Sequence, residues 1–351
     1  MHRRGRTAIG VDIGGRTMTA AQLLVCGQEY RVQALCLLPR AEAEGPVSAA
    51  DALVLRRVLK RQGFSGSRIV IAAPQEHLLR AALELPAKVS GAPLGQIARM
   101  ELSRLHNVEP DSFEMAHWEL KAPDSAKPVT QTLAVGCPHE AANALLDVFE
   151  GAGFDVAGLD APGAAAARAC APLILAPPEI TAIVDLGWHS TSVLFVCGSA
   201  LLYERSLEKA AIGALARKLT EAFGIPLESA QHVIDTVGLV SEEPTSDFDR
   251  QTVEAIRRHT RAHFDRLVEE LRVPLSYANH QFPGAGVQRL LFIGGGAGVN
   301  EFGSYLGPRL GVEARATAPS DLMESPAELL GKAGNPALTM AVGLAQFGGG
   351  R

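Results

Sequence analysis

Two short stretches hold the residues best suited to chemistry. Val11-Asp-Ile-Gly-Gly-Arg-Thr17 and Val184-Asp-Leu-Gly-Trp-His-Ser190 each end an apolar run with a carboxylate, then place a glycine and a hydroxyl residue at the same spacing. Glycines let a backbone approach phosphate oxygens, and the N–H groups of such a turn point at an anion as a nest. Thr17 and Ser190 can add hydroxyl donors. Asp12 and Asp185 would repel a triphosphate directly, but a hydrated Mg2+ between them relieves the repulsion, which is how magnesium is usually held. A third stretch, Leu290-Leu-Phe-Ile-Gly-Gly-Gly-Ala-Gly298, is a buried-strand pattern ending in glycines before a helix. That is a natural approach point for a ligand. Its sixth position is Val299, so it is not the dinucleotide G-x-G-x-x-G pattern.

These residue types predict a bound nucleotide. Gly14, Gly15, Arg16 and Thr17 form one candidate phosphate turn, and Gly187, Trp188, His189 and Ser190 the other. Gly294, Gly295 and Gly296 form the candidate adenosine-side wall. Asp12 and Asp185 are the candidate Mg2+ holders, through water, and the candidate catalytic carboxylates. A single such turn is common hairpin chemistry, whereas two copies are a much stronger signal. Asp160 is the only acidic residue in 158–171 and a weaker catalytic candidate; no Gln or Glu stands there to orient a water. A histidine base at His189 is disfavoured, because phosphoryl transfer rests on positioning and metal. His259 and His263 are four apart on a helical pattern but lack a third ligand, which argues against a metal site.

The elements that must position these residues follow from the repeat. Each stretch reads as a β-hairpin with a tight turn whose glycines supply positive φ angles. Copies this far apart signal two related domains, not a short-period solenoid. The first domain is expected over 1–171, with an insertion at about 85–133. It contains a helix over 47–62, a strand over 68–73, a strand over 132–137, and helices over 140–152 and 161–171. The second is expected over 172–335, with a helical part at about 207–288. There Gly224 stops one helix, and Pro274 should kink or split a long helix over 250–282. A terminal helix over 336–351 packs back toward the first domain.

Composition narrows the class. A chain of 351 residues suits two domains of common size, and 47% hydrophobic with 20% charged residues is a globular balance. The net charge of −5 gives no electrostatic case for nucleic acid or an anionic membrane. Arg3, Arg4 and Arg6 read as a solvated tail. The five cysteines are scattered without a C-x-x-C pair, so neither a disulfide frame nor a metal site is expected. No apolar run reaches the roughly 20 residues of a membrane span, and the N-terminus lacks a signal-peptide core. The expected location is cytoplasmic.

The order of first Asp-Gly hairpin, second Asp-Gly hairpin, Gly-Gly-Gly turn and terminal helix resembles the actin, Hsp70 and sugar-kinase superfamily. Within it the chain is similar to the PilM family of type IV pilus assembly, a relative of FtsA. Residues 7–25, Leu85-Pro86 into the following helix, 183–205, Ile212-Gly213, 219–230, 292–298 and Ala341 to Leu344 carry the likeness. It implies an α/β, actin-like (ribonuclease H-like) two-domain fold with an inserted α+β subdomain. It also implies ATP and Mg2+ as ligands. The implied partners are a PilN-like membrane protein tail and other pilus platform proteins, with peripheral membrane association and possible self-association. The chain departs from the family at Ile212-Gly-Ala, where a second glycine is expected, and at Ala230-Gln-His, where relatives carry Glu and then Lys. Binding is thus better supported than hydrolysis, at most a weak Mg-dependent ATPase. Two other readings stay open: a small-molecule kinase of the same superfold, and a degenerate scaffold that holds no nucleotide.

Overall fold

The computed structural model describes residues 5–41, 45–86, 91–120, 129–240, 249–282 and 284–348. Arg3, Arg4, the polar 122–128 stretch and most of the acidic 241–249 loop lie outside them.

The first half comprises β1 (Gly5–Arg6), β2 (Ile9–Ile13), β3 (Thr17–Cys26), β4 (Glu29–Pro39), α1 (Ala49–Arg61), β5 (Arg68–Ala72), β6 (Leu79–Pro86), α2 (Leu94–His106), β7 (Phe113–Glu119), β8 (Val129–Pro138), α3 (His139–Gly151), β9 (Asp155–Asp160) and α4 (Pro162–Cys170). The second comprises β10 (Ile180–Leu186), β11 (Thr191–Cys197), β12 (Ala200–Leu207), α5 (Ile212–Phe223), α6 (Leu227–Val237), α7 (Arg250–Gln281), β13 (Val287–Ile293), α8 (Phe302–Leu310), β14 (Glu313–Ala316), α9 (Pro319–Leu322), α10 (Leu330–Ala333) and α11 (Thr339–Ala345).

The two principal sheets repeat one another. In the first, β4 pairs β3, β3 pairs β2, and β2 runs parallel to β5 and then β9. In the second, β12 pairs β11, β11 pairs β10, and β10 runs parallel to β13 and then β14. Each is a three-stranded meander followed by two parallel strands, with β1 pairing the far end of β3 on the side opposite β4. The strands that carry the aspartates, β2 and β10, are therefore central in both. Their continuous apolar runs suit burial on both faces.

Local chemistry sets the helices. Ser48 caps α1 in a reciprocal box with Asp51, and Lys60 and Arg61 lie in its last turn. Gly224 ends α5 in the left-handed region at φ 63°. α7 runs as one helix through Pro274, so the expected split does not occur. Pro274 is buried in the helix, flanked by Leu271 and Ala278 on the core side. The packing of this face holds the helix together across the missing N–H.

α4 and α11 lie between the two sheets. One apolar cluster joins Val70 and Ala72 of β5, Ala165 and Ala166 of α4, Ile183 of β10, Leu291 and Ile293 of β13, and Met340 and Leu344 of α11. Contact here is backbone-close: a Cβ on Gly343 would run into the Ala165 carbonyl, and one on Gly10 into the backbone of Ala341 and Ala345. Between β5 and α3, strands β6, β8 and β7 form a separate antiparallel sheet under α2. It spans Leu79 to Pro138, a few residues wider on each side than 85–133. The strand read at 132–137 is part of this sheet.

Candidate functional site

The two hairpins share one register. Asp12 pairs with Thr19 across β2 and β3, and Asp185 pairs with Ser192 across β10 and β11. Both turns close alike: Gly14 N–H donates to Thr17 O at 2.8 Å, and Gly187 N–H to Ser190 O at 3.0 Å. The parallel strands then bring both turns to one end of the cleft between the sheets. A cavity of about 1320 Å³ opens there. It is lined by Asp12, Gly14, Gly15, Arg16, Thr17, Asp185, Gly187, Trp188, His189 and Ser190, and by Gly294, Gly295 and Gly296 beyond β13. All three sequence motifs thus share one cleft.

The turn glycines serve a different purpose from the one their sequence suggested. Gly14, Gly15 and Gly187 are not among the described residues with positive φ; of the motif glycines only Gly294 is, at 84°. They are required by close approach. A Cβ on Gly187 would stand 2.7 Å from Ser190 O, and one on Gly15 would meet Trp188 Cδ1 at 2.7 Å and the His189 ring. Gly294 combines both constraints, since a Cβ there would also meet Leu186 O at 2.8 Å. The α5 N-terminus seats the second turn: Ile212 N–H donates to Gly187 O and Gly213 N–H to Trp188 O, each at 3.0 Å.

The electrostatics concentrate at the two carboxylates. Burial pushes Asp12 up to about 7, helped by the Asp185 carboxylate and opposed by the Ile13 N–H. Burial alone raises Asp185 to about 6. Two desolvated acids facing each other disfavour double ionisation, and a cation between them would reverse that. Asp160 is not brought to the cleft. Its carboxylate pairs with Arg168, which also donates to Gly343 O at 3.1 Å, so it ties α4 to α11 and is withdrawn from the catalytic candidates. His259 packs edge-on against Phe223, and His263 against Phe264. Among the described residues no cluster of three or more His, Cys, Asp or Glu side chains could hold a metal on its own.

Sequence reasoning missed several residues. Buried Arg40 braces the first turn, donating from Nη1 to Gly14 O at 3.2 Å and from Nη2 to Gly45 O and Pro46 O at 2.7 Å. Its partner Asp51, 3.5 Å away, is held below the usual carboxylate range: burial opposes this, but N–H groups of Ala41 and Ser48, the Ser48 hydroxyl and Arg40 outweigh it. Gln75 reaches the second turn from the loop after β5, and Glu228, Gln231, His232 and Asp235 line the cleft from α6. Burial lifts Asp235 to about 6, against a hydrogen bond from Gln231. The Ser48-x-x-Asp51 spacing ahead of α1 is a capping pattern that could have found Asp51, whereas no sequence signal points to Gln75.

The sequence pattern of the type IV pilus assembly protein PilM family matches residues 10–347, nearly the whole chain. The chain belongs to that family. Solved relatives fit the same frame. The PilM–PilN type IV pilus biogenesis complex is 21% identical at a TM-score of 0.78 and covers 97% of both chains. The ethanolamine utilization protein EutJ of Carboxydothermus hydrogenoformans is 16% identical over 98% of this chain and 90% of its own, at TM-score 0.54. MreB5 of Spiroplasma citri, solved with AMPPNP, is 13% identical over 98% and 96%, at TM-score 0.53. No curated protein sequence matches the chain. The fold is the actin-like two-domain fold. No described helix of this PilM-family chain is long and apolar enough to cross a membrane.

Proposed function

We propose that this chain is an ATP-binding, actin-like scaffold of a type IV pilus or related assembly platform, docking on the cytoplasmic tail of a PilN-like membrane protein. The observation that carries the nucleotide half is the matched pair of turns with Asp12 and Asp185 facing one cleft. The residues fit Mg-ATP. Gly14, Gly15 and Gly187 carry no side chains to keep a phosphate from the turn backbones, and Arg16 lines the cleft with a buried Nη1 that lacks a hydrogen-bond partner in the protein. Carboxylate oxygens are hard donors suited to Mg2+ held through water. Bound magnesium would offset phosphate charge; Asp12 and Asp185 would orient its waters, while Thr17 and Ser190 would donate to phosphate oxygens. Gly294 to Gly296 would let adenosine lie against the β13 turn. Withdrawing Asp160 leaves 158–171 without a candidate to orient an attacking water, so binding, not turnover, is the proposed use of ATP.

The platform half rests on family membership and on the likeness to a PilM seated with PilN. The proposed docking surface is the first domain with its inserted sheet, where Met100 and Leu105 of α2 expose apolar side chains. ATP would act by biasing the angle between the two domains, to the extent that it binds one arrangement more tightly. The test is a pull-down of the full chain on an immobilised PilN-like tail peptide, with and without Mg-ATP. Retention that changes with Mg-ATP supports the reading; no retention in either condition contradicts the docking half.

A further inference from the structure

The loop leaving β5 crosses to the second phosphate turn. Ser190 Oγ stands 3.5 Å from Gln75 Oε1, in donor-to-acceptor geometry and at the long limit of a hydrogen bond. This contact joins a loop of the first domain to a hairpin of the second, 115 positions apart in sequence. Closure of the cleft by about 0.7 Å would bring it to the usual O–H···O length of about 2.8 Å.

Gln75 is held from behind. Its main-chain carbonyl accepts from Arg80 Nη1 at 3.2 Å and from Leu78 N–H at 3.4 Å. Arg80 is fixed in turn by Glu204 of β12, Nε to Oε1 at 3.1 Å, and the Glu204 side chain is only 6% exposed. Gly163 makes room for that carboxylate, since a Cβ there would stand 2.6 Å from Oε2. The brace therefore links the inserted sheet, through Arg80, to the second domain, through Glu204. Gln75 sits at its cleft end.

A glutamine amide suits this position because it both accepts and donates. While Ser190 gives its proton to Oε1, the hydroxyl is parked. When Ser190 turns that proton to a phosphate oxygen, the amide can rotate and donate from Nε2 to the hydroxyl oxygen. Ser190 then keeps a partner in both states. A carboxylate only accepts, so it would retain the Ser190 proton and repel the phosphates. A methyl group does neither.

We propose that Gln75 is a positioning residue of the phosphate site, acting through Ser190 to aim its hydroxyl at the nucleotide. This rests on the nucleotide reading above. The experiment is a double-mutant cycle on the full chain, with Mg-ATP affinity measured by calorimetry for wild type, Gln75→Ala, Ser190→Ala and the double variant, and with Gln75→Glu alongside. Thermal unfolding of each variant checks that it is folded. Gln75→Ala should weaken Mg-ATP about three- to tenfold in the wild-type background, the range for one hydrogen bond. It should cost nothing further once Ser190 is alanine. Gln75→Glu should bind more weakly than Gln75→Ala. An unchanged affinity in Gln75→Ala, or the same loss on the Ser190→Ala background, overturns the proposal while leaving the nucleotide reading intact. A wild-type chain that binds no Mg-ATP overturns both.

Discussion

The Arg16 guanidinium lies over the Trp188 indole, 5.0 Å from its centroid, so the first phosphate turn rests on the second. Arg16 also reaches Glu228 of α6 at 3.7 Å, but that glutamate side chain is 75% exposed and the ion pair contributes little. The stacked contact is worth about 0.5–1 kcal/mol at an exposed site and more when desolvated. It makes Trp188 a reporter of the cleft.

Trp118 and Trp188 are the two tryptophans of the chain. In a Trp118→Phe background, emission should therefore come from Trp188 alone and should change when Mg-ATP is added. Arg16→Ala in that background should remove most of the change and weaken Mg-ATP at least about tenfold, consistent with losing one charged contact. A fluorescence titration checks both.

Gly15→Ala should be more damaging than its size implies. The added methyl would meet Trp188 Cδ1 at 2.7 Å and the His189 ring, pushing the two turns apart. Overpacking of this kind costs about 1–3 kcal/mol. The expected outcome is a lower Tm together with at least about a tenfold loss of Mg-ATP affinity, since phosphate contacts need both turns at once. Thermal unfolding and calorimetry on the same sample measure the two effects.

The raised carboxylates predict a pH signature. Asp12 and Asp185 have folded-state values of about 7 and about 6 against 3.8 in the unfolded chain. Between those limits the unfolded chain releases protons that the folded chain keeps, so their contribution to stability falls as pH rises through the window. Asp12→Asn should therefore raise the Tm of the ligand-free chain at pH 8 and change it little near pH 4. Mg-ATP affinity of the wild type should rise from pH 5.5 to pH 8, with proton release on binding at the lower end. Calorimetry in two buffers of different ionisation enthalpy counts those protons.

The paired hairpins were legible because Asp, Gly and a hydroxyl residue recur at one spacing, and that spacing became one shared register. The Gly-Gly-Gly turn was legible for the same reason. The purpose of Gly15 was not, because its constraint comes from Trp188 and His189, more than 170 positions away. Asp160 misled because its partner Arg168 lies eight residues on, beyond the reach of local pattern. The strands of the inserted sheet were blurred at their ends, since β6 alternates between buried and exposed positions without an apolar run, and the apolar run of β8, Leu133 to Val135, covers only part of its length. Pro274 does not split α7, because its helix face is buried against the core. Gln75 and Arg40 matter through contacts no sequence period encodes.

The central claim is a magnesium-dependent nucleotide between the two turns. The most direct measurement is a calorimetric titration of the full chain with ATP, with and without Mg2+, on wild type and on Asp12→Ala. The account predicts saturable binding at one site in the wild type, dependent on Mg2+ and weakened at least about tenfold by Asp12→Ala, as expected when a buried charged contact is lost. No saturable binding of ATP to the wild type, with or without Mg2+, would contradict it.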